Sequence, residues 1–527
     1  MITIFSMPKP FNEEYTNIQL NAIESWIKEC PNCEIILAGD EKGTEEVCKK
    51  YKLKHLPKIK RNEFGTPMLD SLLYEVTKIA KYDILAFINT DIILVGDLEK
   101  VIKKISDEFP SFLAVAQRYD SHIKNRITDK PDWRQRALKH KGLLRGERKR
   151  RWGVTSLTAG GMDLFVWRKG LYDSVPPFAI GRLYYDGWLV YHAFIKKIPI
   201  IDITKALAII HQPHPILNWE DEKIKQEKNK NRELCIGKKH IRDASYTFIN
   251  GEIKPILGIT IFSFPRPFLG EYKIIQRNAI KSWKKCCPNS EIILLGDEEG
   301  VSKVCKEFGF EQIKKVKRNQ YGTPYVDDIF NKGQKFAKYG IVCYINTDVI
   351  MMGNLEEIVW EARNKFSEFL LVGTRHDMKI EKELEFDENW QEKLKRMLQE
   401  KGKLHHTGGV DYFVFNHNLF PPLMIPTFLL GRMEWDGWFV WNALERGKPV
   451  VDITPVMTVI HQTHTKIEDI FDPERLREEK QINKELCLGT KPIHKSTYIF
   501  TPGGIICLLY TSPSPRDLST SRMPSSA

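Results

Sequence analysis

Long stretches of this chain occur twice. Ile2-Thr-Ile-Phe-Ser-Met-Pro-Lys-Pro-Phe11 returns as Ile259-Thr-Ile-Phe-Ser-Phe-Pro-Arg-Pro-Phe268. Gly39-Asp40-Glu41 returns as Gly296-Asp297-Glu298, and Ile88-Asn89-Thr90-Asp91 as Ile345-Asn346-Thr347-Asp348. Arg61-Asn62 with Gly65-Thr66-Pro67 returns as Arg318-Asn319 with Gly322-Thr323-Pro324. The register then shifts, because the first copy carries extra residues in a basic stretch. It resumes with Gly160-Gly161-Met162-Asp163 against Gly408-Gly409-Val410-Asp411. Asp186-Gly187-Trp188 matches Asp436-Gly437-Trp438, and His211-Gln212-Pro213-His214 matches His461-Gln462-Thr463-His464. A unit of about 250 residues is a domain and not a solenoid repeat. The expected boundaries are 1–254 for the first copy and 255–506 for the second, with 507–527 as a disordered, non-native tail. Asn250-Gly251, close to the first boundary, suits the type I′ turn of a closing hairpin.

At 527 residues the chain exceeds what one hydrophobic core supports. A composition 42% hydrophobic and 28% charged is that of a soluble globular protein. No stretch reaches the roughly 18 uninterrupted apolar residues of a membrane helix, and Met1-Ile2-Thr3-Ile4-Phe5 reads as a first strand and not as a leader. These features lead to the expectation of a cytoplasmic protein. Of the ten cysteines, Cys30 and Cys33 form a CxxC that the second copy replaces with Cys287 and Ser290, so buried reduced thiols are expected. The net charge of +12 has a local concentration at 139–151. That run suits a solvated loop, an anionic acceptor or a peripheral contact with an anionic membrane. Nucleic acid is disfavoured, because aromatic residues do not interleave with the charges.

Each copy alternates β-rich runs with amphipathic stretches, the pattern of an α/β domain with a mostly parallel sheet flanked by helices. In the first copy the runs are 2–6, 34–38, 83–88, 112–116, 164–167 and 198–203. The segment 17–28 carries Ile18, Ala22 and Trp26 on one helical face. Thr66-Pro67 predicts a helix start, and helices are expected at 189–196 and 439–445. Ligands of such sheets gather at the carboxyl ends of the strands, where Asp40 and Asn89-Thr90-Asp91 both fall.

An acid at the end of a buried strand needs a hydrogen bond or a cation. Asp91 and Asp348 therefore read either as turn caps or as ligands of a hard divalent ion. One histidine of each His-x-x-His, His211 or His214 and His461 or His464, offers a nitrogen to such an ion and favours Mn2+ slightly over Mg2+, while the same spacing also suits a simple loop. Asp186 and Asp436 read as helix N-caps or as bases for a sugar hydroxyl. Trp188 and Trp438 beside them read as core or as platforms for an acceptor ring. Arg61 and Arg318 suit the planar recognition of a diphosphate.

In this ordered set the sequence resembles the nucleotide-diphospho-sugar transferases of the GT-A type, over nearly all of both copies. The resemblance implies two tandem GT-A-like, Rossmann-related domains and metal-dependent glycosyl transfer from a UDP- or GDP-sugar. The acceptor would be the hydroxyl of a glycan, a lipid-linked sugar or another molecule. It gives Asp40 and Asp297 to the nucleoside, Asp91 and Asp348 to a Mn2+ or Mg2+ ion, and His211 and His461 to the same ion. Asp186 and Asp436 become the base of an inverting reaction. The family's D-x-D reads here as Asn89-Thr90-Asp91 and Asn346-Thr347-Asp348; the amide weakens metal binding or leaves it to the last aspartate, with Asn89 and Asn346 on the donor. Both copies keep the set, which makes a bifunctional enzyme the expectation. Two alternatives stand beside it. One is a sugar-nucleotide-binding scaffold. The other is a sugar-phosphate nucleotidyltransferase, which would want a glycine-rich loop where Met7-Pro8-Lys9-Pro10 and Phe264-Pro265-Arg266-Pro267 stand.

Overall fold

In a computed structural model of the chain, residues 1–145, 160–215, 218–465 and 472–508 are described. Residues 146–151 of the basic stretch and 509–527 of the tail lie outside them. The chain divides into two compact units, Met1–Ile256 and Leu257–Ala527.

The first unit is built on a nine-stranded sheet. From one edge its strands are Lys54–Leu56, Glu34–Ala38, Ile2–Ser6, Ile84–Ile88, Met162–Arg168, Leu113–Gln117, Ile200–Asp202, Tyr246–Ile249 and Glu252–Pro255. All pairings are parallel except those of Met162–Arg168 with its two neighbours and of the closing hairpin. Both faces are covered, and so Ile2–Ser6 and Ile84–Ile88 are buried along their whole length. The second unit has the same order, Glu311–Ile313, Glu291–Leu295, Thr260–Ser263, Ile341–Ile345, Tyr412–Asn416, Leu370–Val372, Val450–Asp452, Tyr498–Thr501 and Gly504–Cys507. The α/β class with mixed, mostly parallel sheets is therefore as expected.

A helix at Thr16–Glu29 covers one face through Ile18, Ala22 and Trp26. The Trp26 indole donates to the Ile92 carbonyl at 3.0 Å, and in the second unit Trp283 does the same to Val349 at 2.8 Å. Each tryptophan thus pins the segment that follows Asp91 or Asp348. At the hairpin, Asn250 has φ 53° and Gly251 φ 78°, the paired positive values of a type I′ turn.

Several expectations change. Thr66-Pro67 does not start a helix; the helix is Leu69–Ile79. Pro67 pairs with Arg61 in a bridge, and Met68 is extended, because the Phe178 carbonyl takes the Leu69 N–H. The late helices begin earlier than expected, at Tyr185 and Trp435. Cys507, assigned to the tail, completes the last strand opposite Tyr498. Short strands form a second sheet in each unit. In the first it runs Ile92–Val95, Ala208–His211, Tyr119–Ser121 and Lys141–Leu144; in the second, Val349–Met352, Thr458–Gln462, Arg375–Met378 and Lys403–Leu404. These small sheets assemble the site.

Candidate metal and donor site

Asp91 immediately precedes the strand Ile92–Val95, which runs antiparallel to Ala208–His211 with His211 opposite Ile92. In the second unit Val349 is opposite His461. That register is what carries a histidine to an aspartate far away in sequence. The glutamine that follows the first histidine of each pair locks it. Gln212 is fully buried, and its amide donates to the Asp91 and Ile18 carbonyls at 3.2 and 2.9 Å; Gln462 does likewise to Asp348 and Ile275 at 3.2 and 2.8 Å.

The result is a three-residue cluster in each unit, Asp91, His211 and His214 in one and Asp348, His461 and His464 in the other. In each, one ligand atom per residue lies within 4.8 Å of the others. His214 Nε2 is 3.1 Å and His211 Nε2 3.6 Å from Asp91 Oδ2. The counterparts to Asp348 Oδ2 are 3.1 Å for His464 and 3.7 Å for His461. The second carboxylate oxygen, Oδ1 of Asp91 and of Asp348, is buried with no hydrogen-bond partner among the described residues. A buried acceptor is seldom left so, and a cation satisfies it. Burial works to raise the Asp348 carboxyl, but the His464 hydrogen bond and the charges of His461, His464 and Arg266 outweigh it and hold the group at about 2. Asp91 is likewise held well below the carboxylate range by His211 and His214 against its burial. An ionised carboxylate with two imidazoles is a donor set that suits a borderline divalent ion.

Behind the cluster stands a second layer. Asp120 Oδ1 lies 3.8 Å from His211 Nδ1, and Asp377 Oδ1 3.2 Å from His461 Nδ1. Asp120 is held by Arg118 and Arg145, and Asp377 by Arg375 and His405. The contacts of Asp120 with His211 and of Asp377 with His461 are contacts of charge and not hydrogen bonds. Asn89 and Asn346 are engaged by other acids: each amide donates at 2.8 Å to the buried Asp163 or Asp411, which Arg118 or Arg375 also meets. An amide at this position supplies the N–H that a carboxylate cannot. The sequence asks one histidine of each His-x-x-His for the site, and the structure brings both; Arg118, Arg375, Asp163 and Asp411 are not among the residues the sequence singles out. The signal available was their repetition, as in Arg118-Tyr-Asp120 against Arg375-His-Asp377.

Around the second unit's cluster are two adjoining cavities of about 510 and 760 Å3. They share a wall that includes Asn346, Arg375, Asp411, Trp435, His461 and His464. The smaller one also meets Phe264, Arg266, Glu298, Tyr344 and Asp348, and the larger one Asp436. Asp436 is the second residue of its helix and accepts from the Gly437 N–H at 2.9 Å. Burial, opposed by that N–H and aided by the charge of Asp411, raises its carboxyl to about 6. Burial raises Asp186 in the same direction. Just ahead of these acids, Tyr184 and Glu434 have φ of 90° and 84°, a strained backbone of the kind found at functional sites.

Other expected residues stand elsewhere. Arg61 bonds Asp40 and Glu41, both at 2.7 Å, and Arg318 meets Asp297 at 3.4 Å and Glu298 at 2.6 Å, so their charge is already matched. Asp40 and Asp297 are exposed, with side chains 71% and 70% accessible. The acid that faces the cavity is Glu298, whose Oε2 is buried and unpartnered, as is that of Glu41. A Cβ on Gly296 (φ 104°) would lie 2.1 Å from that oxygen, so glycine there gives the glutamate its room. Trp188 and Trp438 are core residues, 4% and 2% exposed, packed on Phe178 and Phe428; neither presents a face for a sugar.

Among the described residues no helix is long and apolar enough to cross a membrane. No family model and no curated protein matches the chain. Solved structures do. The chain is similar to S. aureus TarS 1-349 in complex with UDP (15% identity over 23% of this chain and 36% of that one, TM-score 0.19). It is also similar to the same TarS fragment with UDP-GlcNAc (14%, 45% and 70%, TM-score 0.29). A third is M. tuberculosis glucosyl-3-phosphoglycerate synthase (13%, 45% and 80%, TM-score 0.27). The chain thus spans about a third of the first of these and more of the other two. Each half of the chain repeats the same motif order on the same sheet order.

Proposed function

We propose that the chain is a divalent-metal-dependent glycosyltransferase that moves a sugar from a nucleoside-diphosphate donor to a hydroxyl acceptor. The observation that carries this reading is the position of the Asp348, His461 and His464 cluster. Two of its members form part of the wall between two cavities, and Asp436 lies in the one that Asp348 does not line. Donor and acceptor need such neighbouring rooms.

The ion, Mn2+ or Mg2+, would be held by Asp91, His211 and His214 and by Asp348, His461 and His464, and would neutralise charge on the departing diphosphate. The smaller cavity takes the donor, with Glu298 accepting from the nucleoside. The larger takes the acceptor. Asp436, poised near 6, accepts the proton of the attacking hydroxyl, and Asp186 has that role in the first unit. A base on the acceptor side fits inversion at the sugar carbon. Both units retain the set, which supports two transfer activities in one chain. The acceptor classes that fit are a glycan, a lipid-linked sugar or another hydroxyl compound.

The test is calorimetry with UDP and GDP, with and without Mn2+, followed by a donor screen. Metal-dependent nucleotide binding with sugar transfer is the expected outcome. Tight binding without transfer or donor hydrolysis would instead make the protein a scaffold.

A further inference from the structure

Cationic side chains beyond the cluster are candidates to hold the donor's phosphates, and most are already matched. Arg375 pairs with Asp377 and Asp411, and Arg432 and Arg475 with Glu479. Arg61 and Arg318 are matched as described above. Arg266, which lines the smaller cavity together with Asp348 and His464, has no carboxylate partner among the described residues. Its counterpart Lys9 contacts the Tyr15 hydroxyl at 3.4 Å and likewise meets no carboxylate.

Both cations are built into place in the same way. Each lies between two prolines, Pro8 and Pro10 or Pro265 and Pro267, which fix the backbone on either side. A buried glutamine grips each residue's backbone at both polar groups. Gln19 accepts from the Lys9 N–H at 2.7 Å and donates to its carbonyl at 2.8 Å; Gln276 does so for Arg266 at 2.8 and 2.9 Å. Gln19 and Gln276 are 2% and 1% exposed. Gln276 also accepts from the Thr347 hydroxyl, at 2.8 Å, and so ties this loop to the residue beside Asp348. The side chain is steered by an aromatic ring: Lys9 Nζ is 4.6 Å from the Tyr15 centroid, and the Arg266 guanidinium 4.8 Å from that of Tyr272. Those tyrosines in turn pack on the histidines of the clusters, with centroids 6.2 Å from His214 and 5.2 Å from His464.

A positive group so anchored, unmatched and beside a metal cluster has the makings of an anion grip. We infer that Lys9 and Arg266 hold the diphosphate of the nucleotide donor, each beside the cation of its own unit. The inference rests on the proposed function. It transfers the diphosphate contact expected of Arg61 and Arg318 to the first loop of each unit. Arginine can engage two phosphate oxygens at once, whereas lysine offers a point charge.

The test compares the full chain with the double variant K9Q/R266Q by calorimetry in Mn2+. The probes are UDP and GDP, with uridine and guanosine as phosphate-free controls. Loss of a charge-assisted contact at each site should weaken nucleoside-diphosphate binding roughly ten-fold or more and leave the nucleosides unchanged. The conservative variant R266K should recover most of the affinity at the second site, and an unchanged melting curve confirms that the variants fold. If the unaltered chain binds the diphosphates and K9Q/R266Q binds them equally well, the inference is wrong while the proposed function stands. If the unaltered chain binds neither diphosphate, the proposed function fails and this assignment fails with it.

Discussion

His464 Nε2 lies 3.1 Å from Asp348 Oδ2, and His214 Nε2 lies 3.1 Å from Asp91 Oδ2. The same carboxylate–imidazole contact is therefore made twice, from residues separated by more than a hundred positions in each unit. In both places the other carboxylate oxygen has no hydrogen-bond partner among the described residues.

A cation filling those sites binds only the folded chain and so stabilises it. With Mn2+ at a hundred times its dissociation constant, the melting temperature should rise by roughly 5 °C or more. D91N and D348N should each remove the part of that rise that belongs to their own unit. Differential scanning fluorimetry across a Mn2+ titration measures it. If either single variant abolishes transfer by both units, they are not independent.

Asp436 titrates near 6, above the ordinary carboxylate range. As a base it works only when ionised, so transfer by the second unit should fall as the pH drops through about 6. The raised value also means that the charged form is disfavoured in the folded protein. Stability from this group is fully present below the unfolded value and is lost as pH rises through about 6. D436N should therefore lower transfer by about 100-fold or more while raising the melting temperature at neutral pH by roughly 2–4 °C. Rate profiles and melting curves from pH 5 to pH 8 check both signs.

Glu479 is fully buried and pairs with Arg432, itself 3% exposed, at 2.9 Å through Nε. It also accepts from Asn319 at 2.8 Å and Thr323 at 2.6 Å, holding the loop that borders the smaller cavity. Removing one partner strands the other charge, so E479A should cost about 3–5 kcal/mol in urea unfolding. Donor binding should weaken with it, because the loop loses its anchor.

Trp438 packs against Phe420, Phe428 and Phe439, and its indole N–H is buried without a partner among the described residues. W438A should cost about 3–5 kcal/mol by leaving a large cavity. W438F, which removes the unsatisfied donor, should be much milder and should leave the acceptor KM unchanged. A large rise in that KM would restore the ring to the acceptor site.

Much of the scaffold was legible because local rules govern it. The apolar runs at 2–6 and 34–38 became buried strands, and Ile18, Ala22 and Trp26 defined a helix face. Asn250-Gly251 gave the turn that both positive φ values require. Thr66-Pro67 failed as a helix start because a bridge from Arg61 claimed the segment. The site was only half legible. Arg61 fitted a diphosphate by chemistry, but Asp40 and Glu41, close by in space, already match its charge. Trp188 and Trp438 fitted a sugar ring, yet burial decided for the core.

Repetition within the sequence determined the two-unit plan, the α/β class and the residue types that recur at matching places. It did so because strand burial, helix periodicity and turn chemistry depend on neighbours in the chain. Which groups meet was decided by tertiary structure alone. The antiparallel register that sets His211 opposite Ile92 and His461 opposite Val349 brings imidazoles to Asp91 and Asp348. Shared burial gives Asn89 to Asp163 and leaves Arg266 unmatched beside the cluster. Pairings of this kind follow from distance, desolvation and competition for partners in space, and a linear pattern does not encode them.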